Sequence, residues 1–350
     1  MLKSLNVAWL RQLPEFDNHK KVWLFKNREA GLHGFIAIHS DKLGPAVGGT
    51  RYWAYKNENN AIRDVLRLSR AMSYKCALAG VKFGGGKAVI FADSNVKPTP
   101  KSLEAYASVI NEINGQFFTG EDVGLVQSDI DYLRLYSRFI IGASRAAGDP
   151  SPWAALGVFY SIRAVADKVF GKKIGNISVS IKGLGKVGSS LCQLLYDEGA
   201  EIIAADVNKA TVREMKLRFP KIKFVEPKNA HIQKVDFFSP CALGIELNPD
   251  KVLKLNCKAV CGGANNQLEN PETAGALFLR GIFYVPDYIS NSGGLINVVD
   301  ELNKDGYNLS RVTKHVKKIY DRVEELIKLS KKTQKSPNVI AENMSSALLH

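Results

Sequence analysis

An alternation of strand and helix in the second half of the chain constrains the fold more than any other feature of this sequence. Residues 177–181 are predicted to form a strand, residues 186–198 a helix, and residues 201–205 a second strand. A strand, a helix and a further strand in this order form a unit with parallel strands and a covering helix. The pattern therefore predicts an α/β protein with a doubly wound parallel sheet in this region.

A glycine motif lies at the junction between the first of these strands and the helix. Gly183, Gly185 and Gly188 fit the pattern G-x-G-x-x-G, with Lys186 and Val187 inside it. The first glycine is expected to make a tight turn. The second lets the backbone approach a pyrophosphate at the helix N-terminus, and the third allows close packing of helix on strand. The motif is weak alone, but a strand before it and a helix after it are the context that a dinucleotide site requires.

Asp206 follows the second strand, where dinucleotide-binding sheets carry an acidic residue. Its carboxylate would accept hydrogen bonds from the adenosine ribose and would repel a 2′-phosphate. NAD is therefore the expected cofactor, although nearby Lys209 leaves NADP open. The alternative is a glycine turn in an α/β domain that binds no ligand.

Length and composition limit the remaining possibilities. The 350 residues suffice for two domains, and no apolar run reaches the roughly 18 residues that span a bilayer. Five scattered cysteines fit neither a disulfide framework nor the four ligands of a structural zinc site. The net charge of +14 would suit nucleic acid, but the basic residues are dispersed and form no recognisable binding motif. We therefore expect a cytoplasmic protein that binds no metal, membrane or nucleic acid.

The predicted elements divide the chain into two domains. The first half mixes strand patterns with helical ones, at 34–39 and 87–92 for strands and at 60–72 and 101–113 for helices. Two prolines within residues 148–152 favour extended backbone and predict a stiff connector, followed by a helix through 157–168. The expected domains are an N-terminal α/β domain over 1–147 and a doubly wound domain over 148–325.

Two lysines flank a second glycine-rich segment, in the first half of the chain. Lys75 and Lys87 lie twelve positions apart, and the glycines at 84–86 directly precede the second lysine. Glycine permits positive φ and a close approach of backbone to a ligand. A lysine in a poorly hydrated pocket with a second cation nearby loses its charge more readily and becomes a usable base. The segment is equally consistent with a glycine turn between two solvated lysines.

Seven motifs, taken together, identify the family that the chain resembles. They are residues 43–51, 72–87, 119–124, 148–152, 239–244, 263–268 and 286–298. In these motifs the chain resembles the NAD-dependent amino-acid dehydrogenases of the glutamate/leucine/phenylalanine/valine family, the leucine enzymes most, with phenylalanine and tryptophan enzymes close behind. The resemblance implies a first domain that holds substrate and a Rossmann-type second domain that holds NAD. It also implies a C-terminal helical segment, 326–350, that packs back toward the first domain, and a homo-oligomer, often an octamer.

The resemblance also implies roles for individual residues. Lys87 would be the catalytic lysine, uncharged and acting as general base, and Asp122 the acid/base partner that moves protons on and off the amino nitrogen. Lys75 would bind the substrate α-carboxylate. The other residues implied at the substrate site are Gly48, Gly49, Met72, Asn266 and Asn291. Asn266 would also meet the cofactor, and Ala242 would lie against the nicotinamide.

The side-chain pocket would be apolar. The resemblance implies a lining of Val47, Gly120, Leu295 and Val298, which offers no cation to a γ-carboxylate, so glutamate is disfavoured. Branched-chain amino acids are the first choice. Gly120 in place of the family's usual alanine, and Val47 in place of leucine, would enlarge the pocket, whereas Leu295 in place of valine would partly offset them. Phenylalanine and tryptophan therefore remain open.

Several alternatives stand beside these roles. Asp122 could be a helix N-cap, and Asn265 and Asn266 could be turn residues. Ala154 stands where the family carries a threonine thought to hold the nicotinamide amide, which removes one hydrogen bond. A second class of function is a sensor that binds NAD and an amino acid without turnover, against which the presence of Lys75, Lys87 and Asp122 argues.

Overall fold

The structure is a computed structural model that describes residues 1–92, 97–242 and 244–349. The chain divides into two compact units. Unit 1 comprises Met1–Asp149, Val298–Asn308 and Ser345–His350, and unit 2 comprises Pro150–Asn297 and Leu309–Met344. The α/β class with two domains is thereby confirmed. On the C-terminal side the division differs from the predicted boundaries, because most of the segment 326–350 belongs to unit 2.

Unit 1 is built on one mixed sheet. Its strands are β1 (Leu2–Ser4), β2 (Lys21–Asn27), β3 (Leu32–Ser40), β4 (Ala46–Trp53), β5 (Gly84–Phe91) and β6 (Phe117–Glu121). Their order is β1-β2-β3-β5-β4-β6. The pairs β1–β2, β2–β3 and β3–β5 are antiparallel, whereas β4 runs parallel to both β5 and β6. The carboxyl ends of β4 and β6 therefore lie at the same edge of the sheet.

Helices cover both faces of this sheet. They are α1 (Val7–Leu10), α2 (Glu58–Ala79), α3 (Pro100–Ile113) and α4 (Gln127–Tyr136). The side chain of Asn57 caps the start of α2, and Gly80 ends it with a φ of 68°. Helix α2 is thus seven residues longer at its C-terminal end than the periodicity of 60–72 predicts, which places Lys75 on a helix. One apolar cluster lies under α2, and another lies under α3 and α4.

Unit 2 contains a fully parallel sheet. Its strands are β7 (Ser178–Lys182), β8 (Glu201–Ala205), β9 (Lys223–Phe224), β10 (Val235–Pro240), β11 (Cys257–Val260) and β12 (Phe283–Tyr284). Their order is β12-β11-β10-β7-β8-β9, and every pair is parallel. The direction of strand addition reverses at β7, and in sheets of this kind ligands bind outside the carboxyl ends of the strands at that point.

The helices of this second part of the chain are α5 (Ser151–Val165), α6 (Lys186–Asp197), α7 (Lys209–Arg218), α8 (Pro249–Lys254), α9 (Pro271–Leu279), α10 (Asp287–Ser290), α11 (Gly293–Asp300), α12 (Leu309–Lys317), α13 (Ile319–Thr333) and α14 (Pro337–Leu349). Pro152 lies in the first turn of α5, where its missing N–H costs nothing. The prolines at 148–152 therefore begin a helix, which corrects the prediction of a stiff connector. Helix α13 packs against α5 within unit 2.

Candidate active site

The glycine-rich segment before Lys87 forms a strand and not a turn. Residues 84–86 begin β5, and none of them has a positive φ. A Cβ on Gly85 would lie 2.0 Å from the backbone nitrogen of Ser73, which belongs to α2. Gly85 thus allows the backbones of α2 and β5 to approach, and the strand corrects the expectation of a turn at these glycines.

Lys87 is buried beside Asp122. Its side chain is 7% exposed, and Nζ lies 3.0 Å from Oδ1 of Asp122. Asp122 directly follows β6, and the neighbouring strand β4 supplies Arg51, whose Nε donates to the second carboxylate oxygen, Oδ2, at 2.8 Å. The two oxygens of one buried carboxylate are therefore held by two different cations.

This arrangement fixes the charge of the carboxyl group. Burial alone would raise the pKa of Asp122, but the positive charges of Lys87 and Arg51, and the hydrogen bonds from both, bring it below its ordinary value. The carboxyl group is ionised, and its contact with Lys87 has the geometry of an ammonium–carboxylate pair. The uncharged state expected for Lys87 stays a prediction.

The alternative role of Asp122 as a helix cap is wrong. Helix α4 begins after Val126, and the side chain of Asp129 accepts the hydrogen bond from the Val126 N–H. The carboxylate of Asp122 lies four residues before that cap and binds side chains instead. Asp122 is therefore not the residue that caps α4.

Several residues expected at the substrate site belong to unit 1, as this pair does. Met72 and Lys75 are on α2, and both are half-buried. A Cβ on Gly48 would lie 3.3 Å from Cγ of Met72 and only 1.9 Å from a backbone oxygen of β5. A Cβ on Gly49 would lie 2.8 Å from Cβ of Asp122. The two glycines allow β4 to pack closely against its surroundings, which include Met72 on one side and Asp122 on the other.

Three of the residues expected to shape the side-chain pocket also belong to unit 1. Val47 is fully buried. A Cβ on Gly120 would lie 2.6 Å from the carbonyl oxygen of Ile141. Gly120 therefore lies closely against the backbone of Ile141, and the larger pocket expected from this glycine stays a prediction. Val298 lies opposite Gly142, where an added Cβ would come within 3.4 Å of Cγ1 of Val298.

The glycine motif of unit 2 forms a tight turn between β7 and α6. Gly183 has a φ of 98°, and a Cβ there would lie 2.5 Å from the backbone nitrogen of Ala242. A Cβ on Gly188 would lie 1.9 Å from the carbonyl oxygen of Gly183. Gly185, in contrast, has no neighbouring atom within 4 Å of its Cβ position. Leu243, which follows Ala242 in the motif at 239–244, lies outside the described residues.

This turn fits the phosphates of a dinucleotide. The exposed Gly185 precedes Lys186 and Val187, the first residues of α6, and no side-chain hydrogen bond caps this end of the helix, so its N–H groups can bind an anion. Asp206 follows β8 and is held from both sides, because Oδ2 accepts from the N–H of Leu184 at 2.6 Å and Oδ1 from that of Asn208 at 2.7 Å. The carboxylate is thus fixed at the end of the strand.

The remaining residues expected at the site lie on the later part of unit 2. Asn266 has a φ of 55°, which is typical of a turn, and its N–H donates to Asp287 at 2.6 Å. Nδ2 of Asn291 donates to Oδ1 of Asn265 at 2.7 Å. Leu295 lies on α11 and is 7% exposed. The backbone of Asn266 therefore has the turn conformation that was the alternative prediction. This conformation does not determine what its side-chain amide binds.

Within the described residues, no group of three or more histidine, cysteine, aspartate or glutamate side chains is arranged to hold a metal ion. No described helix combines the length and hydropathy that crossing a bilayer requires.

Two charged residues beside Asp122, namely Arg51 and its second partner Asp64, carry no role predicted from the sequence. Nη1 of Arg51 lies 2.9 Å from Oδ2 of Asp64 on α2, and the hydroxyl of Tyr55 donates to the same oxygen at 2.7 Å. The available signal was the position of Arg51 at the end of the motif 43–51, as a charged residue on a strand of otherwise small and apolar residues.

Comparison with known proteins places this geometry in context. Residues 19–137 match the family model "Glu/Leu/Phe/Val dehydrogenase, dimerisation domain", and residues 205–348 match "Glutamate/Leucine/Phenylalanine/Valine dehydrogenase". The chain is 38% identical to leucine dehydrogenase of Bacillus subtilis over 326 residues, which cover 92% of this chain and 88% of that protein. It is 39% identical to phenylalanine dehydrogenase of Bacillus thermotolerans, with coverages of 90% and 84%. The crystal structure of L-tryptophan dehydrogenase from Nostoc punctiforme superposes with a TM-score of 0.84 at 34% identity over 98% of each chain.

Proposed function

The chain belongs to the Glu/Leu/Phe/Val dehydrogenase family and is an NAD-dependent amino-acid dehydrogenase, and within this class we propose that its substrate is an apolar L-amino acid, a branched-chain one first. The reaction converts the amino acid, NAD⁺ and water to the 2-oxo acid, ammonium, NADH and a proton, and it is reversible. The observation that carries the assignment of the active site is the buried pair of Lys87 and Asp122, with Nζ and Oδ1 at 3.0 Å.

NAD, when bound, accepts the hydride that leaves the substrate Cα. Gly183, Gly185 and Gly188 would hold its pyrophosphate and Asp206 its ribose, with Ala242 and Asn266 toward the nicotinamide. The remaining steps are proton transfers and one addition of water, for which the residues of unit 1 are suited. Lys75 would bind the α-carboxylate, because a compact cation matches that group.

Lys87 and Asp122 would then carry out the proton transfers. The loss of hydride leaves an iminium carbon, and water must lose a proton as it attacks that carbon. Lys87, once it has passed its own proton to the neighbouring carboxylate, would take the proton from water. Asp122 would deliver its proton to the amino nitrogen, which leaves as ammonia, and the carboxylate would then take the hydroxyl proton as the carbonyl forms. The 3.0 Å contact between the two groups is short enough for direct transfer.

The substrate class follows from the side chains expected around it. Val47, Gly120, Leu295 and Val298 offer no cation, so a buried γ-carboxylate would lose its hydration without an ionic partner. Gly120 and Val47 would enlarge the pocket by comparison with the family's usual residues, and the bulkier Leu295 would partly offset that added space. Leucine, isoleucine and valine are therefore proposed ahead of aromatic amino acids.

An aromatic substrate is the second candidate. Gly142 presents no side chain toward Val298, and relatives named phenylalanine dehydrogenase and L-tryptophan dehydrogenase are as similar to this chain as the leucine enzymes. A homo-oligomer and a location in the cytoplasm complete the proposal on the same family grounds.

The test is the absorbance of NADH, followed with NAD and a panel of leucine, valine, phenylalanine, tryptophan and glutamate. We expect the highest kcat/KM with a branched-chain substrate and no measurable rate with glutamate. Differences among the apolar substrates should be of about 10- to 200-fold per methylene. Higher kcat/KM with phenylalanine or tryptophan would select the second candidate.

Substitutions in the same assay test the catalytic pair. Lys87→Ala should lower kcat by about 10³-fold, because it removes the general base. Its NAD affinity should stay near that of the native protein. Lys82→Ala, which changes an exposed lysine of the same segment, is the matched control and should leave turnover intact. Near-native turnover of Lys87→Ala would refute the assignment of Lys87 as general base. If the native protein binds NAD tightly but turns over no amino acid, it is a sensor.

A further inference from the structure

A chain of ion pairs extends from Asp122 away from Lys87. The guanidinium group of Arg51 lies between two carboxylates, with Nε 2.8 Å from Oδ2 of Asp122 and Nη1 2.9 Å from Oδ2 of Asp64. Asp64 in turn accepts hydrogen bonds from Tyr55 at 2.7 Å and from Arg67 at 2.7 Å. The side chain of Arg51 is only 16% exposed, so these contacts are poorly screened by water.

The geometry gives the two oxygens of Asp122 different partners. Oδ1 faces Lys87, whereas Oδ2 is held by Arg51. A guanidinium group can bind two separate carboxylates through different nitrogens in a fixed plane, which a lysine ammonium on a flexible stem cannot do. Asp64 balances the charge of Arg51 and fixes its orientation from α2. The carboxylate of Asp122 is therefore restrained in rotation, and only one of its oxygens is left for proton exchange.

We propose that Arg51 is a positioning residue for the dehydrogenase reaction, anchored by Asp64, which holds Asp122 by one oxygen and presents the other to Lys87. The inference rests on the proposed function, since it gives Asp122 its role in proton transfer. Arg51 acts through Asp122 and is assigned no contact with substrate or cofactor.

The alternative is that Arg51 only links β4 to α2 and contributes stability. The two roles differ in their effect on pH dependence. The charged groups that face Asp122 are Lys87 from β5 and Arg51 from β4, and beyond Arg51 lie Asp64, Tyr55 and Arg67. Loss of a cation next to a carboxylate favours its protonated form. A positioning role therefore requires the acid limb of the kcat profile to move to higher pH when Arg51 is removed, whereas a purely structural link does not.

The decisive variants are Arg51→Met and Asp64→Asn, measured beside Arg63→Met. Arg63 also lies on α2, pairs with Glu15 and does not touch this network. Arg51→Met should lower kcat by about 30-fold with a smaller change in KM, because a charge-assisted hydrogen bond to the acid/base group is lost. Its acid limb should move to higher pH. Asp64→Asn keeps the contact between Arg51 and Asp122 and should lower kcat by only about 3-fold. Arg63→Met should match the native enzyme.

Chemical rescue provides a readout that does not depend on stability. Arg51→Ala leaves a space of the size of a guanidinium group, so millimolar guanidinium should restore part of kcat, and sodium chloride at equal ionic strength should not. If Arg51→Met does not fold, Arg51→Lys and Asp64→Asn serve instead, with Arg51→Lys expected to retain the native acid limb but not the native kcat.

Two results separate this inference from the proposed function. Native kcat and an unmoved acid limb in Arg51→Met, or no rescue of Arg51→Ala by guanidinium, would overturn the positioning role even if Asp122→Asn is inactive. Native turnover of Asp122→Asn would instead refute the proposed catalytic pair itself. Inactivity of Asp122→Asn together with a shifted limb in Arg51→Met supports both.

Discussion

Two glycine-rich segments, one in each unit, look alike in sequence and meet different physical demands. Residues 84–86 lie in the extended strand β5, where an added Cβ would strike the backbone of β3 or α2, or the ring of Phe117. The segment 183–188 forms a turn, in which Gly183 has a φ of 98° and Gly185 faces open space. In the first segment glycine allows protein to approach protein. In the second segment, Gly183 adopts a positive φ that favours glycine, and Gly185 leaves room for a ligand.

The difference shows what a run of glycines can reveal in a sequence. A glycine signals that a Cβ is not tolerated, but the atom that excludes it can be a neighbouring helix, the chain's own carbonyl or a bound cofactor. Substitution by alanine distinguishes these cases, since each predicts a different balance of lost stability and lost binding.

The largest effect is expected for Gly85→Ala. The new Cβ would lie 2.0 Å from the nitrogen and 2.4 Å from the Cα of Ser73, and neither backbone atom can move without shifting α2. We expect a loss of about 4 kcal/mol or more in the free energy of unfolding, measured by urea denaturation. Gly275→Ala on α9, where nothing lies within 4 Å, is the control and should be neutral or stabilising. Equal stabilities of the two variants would contradict the packing argument for β5.

How much of this could be predicted from the sequence depended on whether a pattern was local. The strand at 201–205 coincides with β8, and the turn at Gly183 lies where the motif places it, because both follow from residues adjacent in the chain. The strand position of residues 84–86 could not be predicted, since it arises from pairing with β3 and β4, which are distant in the sequence. The pairing of Arg51 with Asp122 and Asp64 joins residues 71 and 13 positions apart, and no spacing rule connects them.

A second prediction uses pH to test how firmly α2 is packed. His19 is 4% exposed, its Nε2 donates to the carbonyl oxygen of Leu66 on α2 at 3.0 Å, and its Nδ1 accepts from the N–H of Asp17 at 3.1 Å. Burial lowers the pKa of His19 to about 4 from 6.5, with the repulsion of nearby His39 adding to the effect. The folded protein therefore keeps this histidine neutral over a range in which the unfolded chain protonates it.

The sign follows from proton linkage. As pH falls from 6.5 toward about 4, the unfolded chain binds a proton that the folded state does not, so stability is lost over this window. We expect His19 to account for a loss of about 3 kcal/mol between these limits. Urea denaturation of the native protein and of His19→Gln across this range isolates the contribution, because the other titrating groups are common to both. Parallel stability curves for the two proteins would show that the packing at α2 does not hold His19 neutral.

A third and smaller effect on stability is expected for Gly188→Ala in the other unit. The added Cβ would lie 1.9 Å from the carbonyl oxygen of Gly183, so α6 must move away from the turn. We expect a stability loss of about 2 kcal/mol, less than for Gly85→Ala because the turn can yield at one carbonyl group. The same movement should weaken NAD binding, which fluorescence titration measures. Unchanged NAD affinity beside reduced stability would show that the turn does not hold the cofactor.

Gly185→Ala should change stability least, and it therefore tests most directly whether the turn binds the pyrophosphate of NAD. Gly185 has φ of −67° and ψ of −165°, which alanine adopts without strain, and no atom lies within 4 Å of the added Cβ. The free energy of unfolding should stay within about 0.5 kcal/mol of the native value. NAD affinity, however, should fall by about 10-fold, because the methyl group would occupy the space through which the backbone approaches the pyrophosphate. A variant that keeps both native stability and native NAD affinity would place the pyrophosphate elsewhere, and it would leave Gly183 and Gly188 as purely structural glycines of the same kind as those in β5.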